Sequence, residues 1–274
     1  MYRRILPKTI MYVLLVLFAV TMLLPFVWMV SSSLKPLSEI FSHPPTLIPE
    51  TFRWENFSEL FEKFPFIQNI FNSLYIAVVY TVLAAFFCAL GGFAFAKYEF
   101  KYKNILFIIL FGSMMIPQEV LMIPLYVVFK NLNWIDTHWG LIIPGIANAF
   151  GIFFMRQFIQ SVPNDLLDAA RIDGLGEFGI FTKIILPVIK PGLASLGIIF
   201  FMNSWNNFLW PLILLKSPEM YTVTVAIYSI TGGLRQPYHW ILAGSVISVI
   251  PLFVIFLIFE RQFIAGITQG AVKG

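Results

Sequence analysis

Charge is scarce in this chain. Asp, Glu, Lys and Arg together make up 12% of its 274 residues, too few to cover a water-soluble surface of this size. Cysteine is scarcer still: Cys88 stands alone, which excludes a disulfide framework and a cysteine metal cluster and suits a small packing residue. The three histidines, His43, His138 and His239, are far apart and fall in predicted external loops. That placement suits interfacial residues, so no metal site and no catalytic group is expected. No glycine-rich loop of the form GxxxxGK[ST] occurs, so the chain does not bind ATP by that route. Its energy source is then an ion gradient or another polypeptide.

Apolar residues fill the space that charge leaves, at 59% of the sequence and a mean hydropathy of +0.83. Long apolar runs point to helices, because a β-barrel shows short alternating segments. At about twenty residues per span, six are readable, near 10–32, 68–93, 105–129, 140–158, 192–215 and 240–259. The last three are interrupted by Gly, Pro or Asn. The expected fold is all-α: one polytopic domain over 1–274, with the bilayer as its solvent. Arg3, Arg4 and Lys8 precede the first run as in a secretion signal, but the run is longer than a signal core and lacks a convincing cleavage site. An uncleaved first span is expected.

Basic residues set the orientation. With six spans, one side holds Arg3, Arg4, Lys8, Lys97, Lys101, Lys103, Arg171, Lys183, Lys190, Arg261 and Lys273, with Arg156 at its border. The other holds Lys35, Arg53, Lys63, Lys130, Lys216 and Arg235. The richer side is cytoplasmic, with both termini and the loop 159–191. The net charge of +4 reflects topology and gives no reason to invoke nucleic acid. Outside, the segment 33–66 carries five prolines, an acidic excess and a hint of a short amphipathic helix from Trp54 to Phe61. It reads equally as a docking surface and as a packing loop.

The loop 159–191 has internal order. Pro163 suits a first helical turn, and Asp165 and Asp168 lie near the positive end of that helix. Ala169 and Ala170 leave room for another backbone. Gly174 can take the left-handed conformation that ends a helix. Phe178, Phe181, Ile184 and Ile185 suggest a second short helix, halted by Pro187.

Polar residues inside the spans are the other candidates. Glu119 beside Gln118 falls near the middle of the third span, where a carboxylate facing lipid costs several kcal/mol. Asn148 interrupts the fourth. The fifth carries Asn203-Ser-Trp-Asn-Asn-Phe-Leu-Trp210. Amides offer paired donors and acceptors and indoles offer flat apolar faces, a combination that sugars need. Helical spacing would group Asn203, Asn206 and Asn207 on one side, with Trp210 near the outer mouth. Interhelical hydrogen bonding is the plainer reading of the same residues.

Asp168-Ala169-Ala170, three residues, Gly174, nine residues, then Ile184-Ile-Leu-Pro187 resembles the cytoplasmic EAA loop of permease subunits in bacterial ABC importers. The run Trp205–Leu212, the ending Gln262–Gly274 and the segments Met115-Ile-Pro117 and Ile123-Pro-Leu-Tyr126 narrow the resemblance. They are similar to the six-span subunit of maltose-type carbohydrate importers, over nearly the whole chain. That resemblance implies a complex in a bacterial or archaeal cytoplasmic membrane: a second permease, two ATPase subunits binding ATP and Mg, and an extracytoplasmic solute-binding protein delivering sugar. It assigns Asp168, Ala169, Ala170, Asp173, Gly174 and Pro187 to ATPase coupling. It places Thr268, Gly270 and Lys273 in a tail that reaches the ATPase subunits. Asp168 replaces the family's usual glutamate, one methylene longer. Two alternatives stay open. One is an ABC permease for glycerol phosphate or another small polar solute, against which stands the lack of Lys or Arg deep in a span. The other is an ion-coupled carrier using Glu119, which leaves the loop unexplained and lacks the internal repeat usual in such carriers.

Overall fold

The computed structural model describes residues 5–231 and 236–271, with side chains described over 8–231 and 236–259. The pair Gly232-Gly233, too short a motif for anything but a turn, lies outside the described residues. All regular structure among the described residues is helical. In chain order the helices are α1 (Ile5–Ser33), α2 (Leu37–Ile40), α3 (Glu55–Lys63), α4 (Phe66–Lys97) and α5 (Lys103–Ser113). There follow α6 (Met122–Asn131), α7 (Trp139–Ile142), α8 (Ala149–Gln160), α9 (Asn164–Ile172) and α10 (Glu177–Ile180). The last are α11 (Leu186–Val188), α12 (Lys190–Trp205), α13 (Leu209–Leu214), α14 (Val223–Ser229) and α15 (Tyr238–Ala271).

Among the described residues, three helices are long and apolar enough to cross a membrane unbroken: Lys8–Ser33, Phe66–Lys97 and Tyr238–Phe259. Three further spans are possible as bent pairs, which brings the number to six. Here the structure corrects the expectation of a continuous third span. Lys103–Ser113 and Gln118–Asn131 meet at 92°, because Pro117 has no N–H to continue a helix and pushes Ile116 away from helical geometry. The fourth is bent by 42° between Trp139–Gly145 and Ala149–Gln160, with Asn148 extended at ψ 131°. Of the expected fifth span, α12 covers the first part and ends at Trp205, and residues 206–208 are not helical.

The chain divides into two compact units. One joins the residues up to Ile67 with Ala226–Pro251. Its amphipathic α3 is the helix hinted at by Trp54–Phe61, with Asn56 and Leu60 buried. The Asn56 amide donates to the Ser33 and Lys35 carbonyls at 2.8 and 3.0 Å. Glu59 pairs with Arg53 at 3.0 Å and accepts from the Trp240 indole at 3.0 Å. In this way the segment 33–66 closes onto its own unit.

The other unit runs from Gln68 to Val225 and resumes at Leu252. Its core packs Ala84, Cys88, Ala89 and Phe93 of α4 with Ile152, Met155 and Ile159 of α8, Ile180, Phe181 and Ile185, and Leu196 and Phe200 of α12. Small residues let these helices approach closely. A Cβ on Gly92 would stand 2.8 Å from Met155 Cβ and the Arg156 amide, and one on Gly151 2.6 Å from Cys88 Sγ. Cys88 is the packing residue expected: it is buried, and its thiol donates to the Asn148 carbonyl at 3.4 Å.

Candidate functional site

The segment between α8 and α12 builds a helix, a corner and a second helix from local rules. Pro163 is extended at φ −60° and ψ 140° and precedes the first residue of α9, one position before the place expected for it. Asp165 sits in the first turn and Arg171 in the last, each favourable to the helix dipole. Leu167 and Ala170 are buried in the core, while Leu166, Asp168 and Ala169 are exposed. The two alanines therefore differ: Ala170 packs inward and Ala169 faces out.

Gly174 ends the helix at φ +83°. The Leu175 N–H donates to the Ala170 carbonyl and the Gly174 N–H to that of Arg171, both at 3.0 Å. That pair of bonds defines a Schellman motif around a left-handed residue. Asp173, just before it, caps through its own N–H to the Ala169 carbonyl at 2.9 Å.

The second helix is α10, a π-helical stretch from Phe181 to Ile185, and α11. Pro187 does not stop it, as expected, but lies inside α11. The Leu186 N–H reaches back five residues to the Phe181 carbonyl, a widened turn that eases the chain past a residue with no N–H. The chain turns at Ile189 (φ −89°, ψ 11°). Glu177–Val188 and α12 lie at 82°.

Charges lock the corner. Arg171 bonds Asp168 at 2.8 Å and Glu177 at 2.9 Å, and the Tyr98 hydroxyl donates to Glu177. Glu177 first, then Asp168, holds the Arg171 guanidinium more firmly protonated. Burial and the Glu177 carboxylate push the Tyr98 phenol up to about 12, so it remains a donor. Lys97 donates to the Val162 carbonyl and, at 3.0 Å, to the Asn164 side chain. Asp168 thus reaches an arginine of its own helix. Four large apolar side chains stay exposed along this segment: Leu166, Phe178, Val188 and Ile172, the last at 87%.

The other sequence candidates are not gathered into one site. Glu119 is exposed in the 3-10 turn Gln118–Leu121, just past the break at Pro117. Asn148 caps α8, its side-chain oxygen accepting from the Gly151 N–H at 3.2 Å. The helical face expected for Asn203, Asn206, Asn207 and Trp210 does not exist, because α12 ends between them. Asn203 is exposed on α12. The Asn206 amide turns back to the Met202 carbonyl at 2.9 Å and closes the helix end. Asn207 lies beyond it, with its carbonyl accepting from Thr224 at 2.8 Å. Trp210, on α13, packs on Phe129 with ring centres 6.0 Å apart. Thr268 and Gly270 fall in α15, which runs to Ala271; their side chains and Lys273 lie outside those described. Sequence reasoning named Arg171 and Lys97 only as topological charges. The i, i+3 spacing of Asp168 and Arg171 was a readable signal for their pair, whereas Tyr98 and Glu177 meet across 79 residues.

The described residues thus form an all-helical protein with helices long and apolar enough to cross a membrane and an exposed helix-turn-helix corner in the chain between α8 and α12. The chain belongs to the family of binding-protein-dependent transport system inner membrane components, whose pattern its residues 82–269 match. It is 40% identical over 255 residues to the arabinooligosaccharides transport system permease protein of Bacillus subtilis, covering 92% of this chain and 91% of that one. It is 33% identical to the lactose transport system permease protein of Rhizobium radiobacter, covering 99% and 98%. To the sn-glycerol-3-phosphate transport system permease protein of Yersinia enterocolitica it is also 33% identical, covering 94% and 95%. The fold matches a chain of a bacterial ABC transporter involved in import of the acidic polysaccharide alginate. That match has a TM-score of 0.84 at 22% identity and covers 94% and 96%.

Proposed function

We propose that this protein is a permease subunit of an ATP-driven importer and forms part of the transmembrane pathway for a neutral sugar or oligosaccharide. The observation that carries the reading is the α9 corner. It is held by a Schellman turn and an Arg171-centred ion-pair cluster, and it presents Leu166, Ile172 and Phe178 to the surroundings. A rigid, exposed, apolar-tipped corner is suited to seat in a cleft of another protein and pass on its movement. In this reading the partner is an ATPase subunit, which binds ATP and Mg. A second permease completes the pathway, two ATPase subunits dock below, and a solute-binding protein delivers the cargo. No ATPase site of its own is proposed for the chain. Both termini face the cytoplasm, and the tail that holds Thr268, Gly270 and Lys273 contacts the ATPase subunits. Asn203, exposed on α12, is the pathway candidate that keeps its place, with Glu119 beside the break at Pro117.

The cargo reading rests on the higher identity to the arabinooligosaccharide permease than to the glycerol phosphate one, and on spans without deep basic residues. The test is competition for labelled arabino-oligosaccharide uptake in cells carrying the whole transporter. Neutral oligosaccharides should compete and glycerol phosphate should not. Competition by glycerol phosphate alone would transfer the chain to the anionic-solute branch.

A further inference from the structure

Helix α4 differs from the other two long helices. It runs 32 residues with no internal proline, whereas α1 contains Pro25 and α15 Pro251. From Asn69 to Lys97, at 1.5 Å per residue, it spans about 42 Å. Its middle is packed through Ala84, Cys88 and Ala89, and Gly92 brings it within a methyl's width of the α8 backbone. Without proline the helix keeps its internal hydrogen bonds, and its Gly91-Gly92 pair, where a helix could otherwise bend, is packed tightly against Ile152 and Met155 of α8. Such an element moves as a rod.

Each end of that rod grips a different loop. At the carboxyl end, Lys97 holds the Val162 carbonyl and the Asn164 side chain, which together open α9. Tyr98 holds Glu177, which in turn pairs with Arg171 in the last turn of α9. Both ends of α9 are therefore tied to one end of α4. At the amino end, the Asn69 amide donates to the Pro218 and Tyr221 carbonyls at 2.8 and 3.2 Å. The Asn72 amide donates to the Glu219 and Tyr221 carbonyls at 2.7 and 3.1 Å. Ser73 accepts from the Val223 N–H at 2.7 Å. These bonds hold the strap 218–223 by its main chain and leave Glu219 exposed.

We propose that α4 is a strut that carries movement of the α9 corner to the strap 218–223 at the opposite end of the helix. Lys97 and Tyr98 are the positioning residues at one end, and Asn69 and Asn72 at the other. The proposal rests on the reading that α9 docks on an ATPase subunit. Its physical basis is a rigid element joined by hydrogen bonds at both ends, so that a shift at one anchored loop cannot be absorbed before the other. Damage at either end breaks the same connection. Its effects should therefore fail to add.

The experiment uses the whole transporter, reconstituted in liposomes with its solute-binding protein and sugar, and reads ATPase activity with and without that protein. The inner-end variant is Lys97→Met with Tyr98→Phe; the outer-end variant is Asn69→Leu with Asn72→Leu. Each should assemble and lose about five-fold or more of the ratio of stimulated to unstimulated ATP hydrolysis. The variant carrying all four substitutions should lose no more than the worse of the two. Lys97→Arg, which can still donate to Val162 and Asn164, should keep stimulation. If the buried Asn69→Leu prevents assembly, Asn72→Ser alone tests the outer end by the same criterion. Losses that multiply, or full stimulation in either end variant, overturn the strut while leaving the importer reading intact. Absence of stimulation in the unaltered transporter overturns the importer reading and the strut with it.

Discussion

At the scale of single residues, two of the four left-handed positions among the described residues lead to predictions. Gly174 has φ +83°, and a Cβ built there meets nothing within 4 Å. Any cost of substitution is therefore conformational, not steric. Valine in that region costs about 1–2 kcal/mol more than glycine, whereas asparagine visits it with local hydrogen bonding. Gly174→Val should uncouple uptake from ATP hydrolysis, and Gly174→Asn should keep most of it, both measured in the assembled complex. Equal loss in the two variants would point to the partner's surface instead of the turn. Asp136 is the second position, left-handed at φ +58°. Its carboxylate accepts from the Lys216 and Ser217 amides at 2.8 and 3.0 Å and from the Ser217 hydroxyl. Burial opposes its charge, but the bonds from Ser217 and Lys216 outweigh it and hold its pKa below the ordinary carboxylate value. Its stabilising contribution is therefore complete above that ordinary value and is lost as pH falls through the lower folded one. Asp136→Ala should lower the unfolding midpoint in detergent by the equivalent of about 1–3 kcal/mol, with Asp136→Asn milder. The Gly174 turn was legible from Asp168-to-Pro187 spacing because a Schellman turn is written within a few residues. The link from Tyr98 to Glu177 was not, because only the packing of α4 beside the loop creates it.

At the scale of elements, the six apolar segments were legible because bilayer thickness imposes their length. Their breaks were less so. The third segment was read as one continuous span despite Pro117, because hydropathy alone does not separate one helix from two that meet at 92°. Asn203, Asn206 and Asn207 showed most clearly where periodicity misleads. A shared face requires a helix that continues, and the Asn206 amide instead closes α12 on the Met202 carbonyl. The roles therefore separate. Asn206→Ala should lower thermal stability by roughly 1 kcal/mol with a proportionate effect on uptake. Asn203→Ala, at an exposed α12 position, should weaken uptake without lowering stability. Asn148 caps α8, so Asn148→Ser should hold its unfolding midpoint, and Asn148→Ala should lose about 1 kcal/mol. Loss of transport without loss of stability in Asn148→Ala would return that residue to the pathway.

At the scale of the whole molecule, the account makes this chain one moving part of an engine whose fuel is bound elsewhere. The rival account places the energy source in an ion gradient and gives Glu119 the proton. Glu119→Gln keeps the shape and hydrogen-bonding capacity of the side chain and removes the titratable group, so an ATP-driven importer should retain most of its uptake. The most direct measurement is uptake of labelled arabino-oligosaccharide into vesicles containing the complete transporter, with ATP supplied on the ATPase side and proton and sodium gradients collapsed by ionophores. Accumulation should persist under ionophore, cease when ATP is withheld and fall sharply in Gly174→Val. Accumulation that stops on ionophore addition with ATP still present, or that proceeds without ATP, would contradict it.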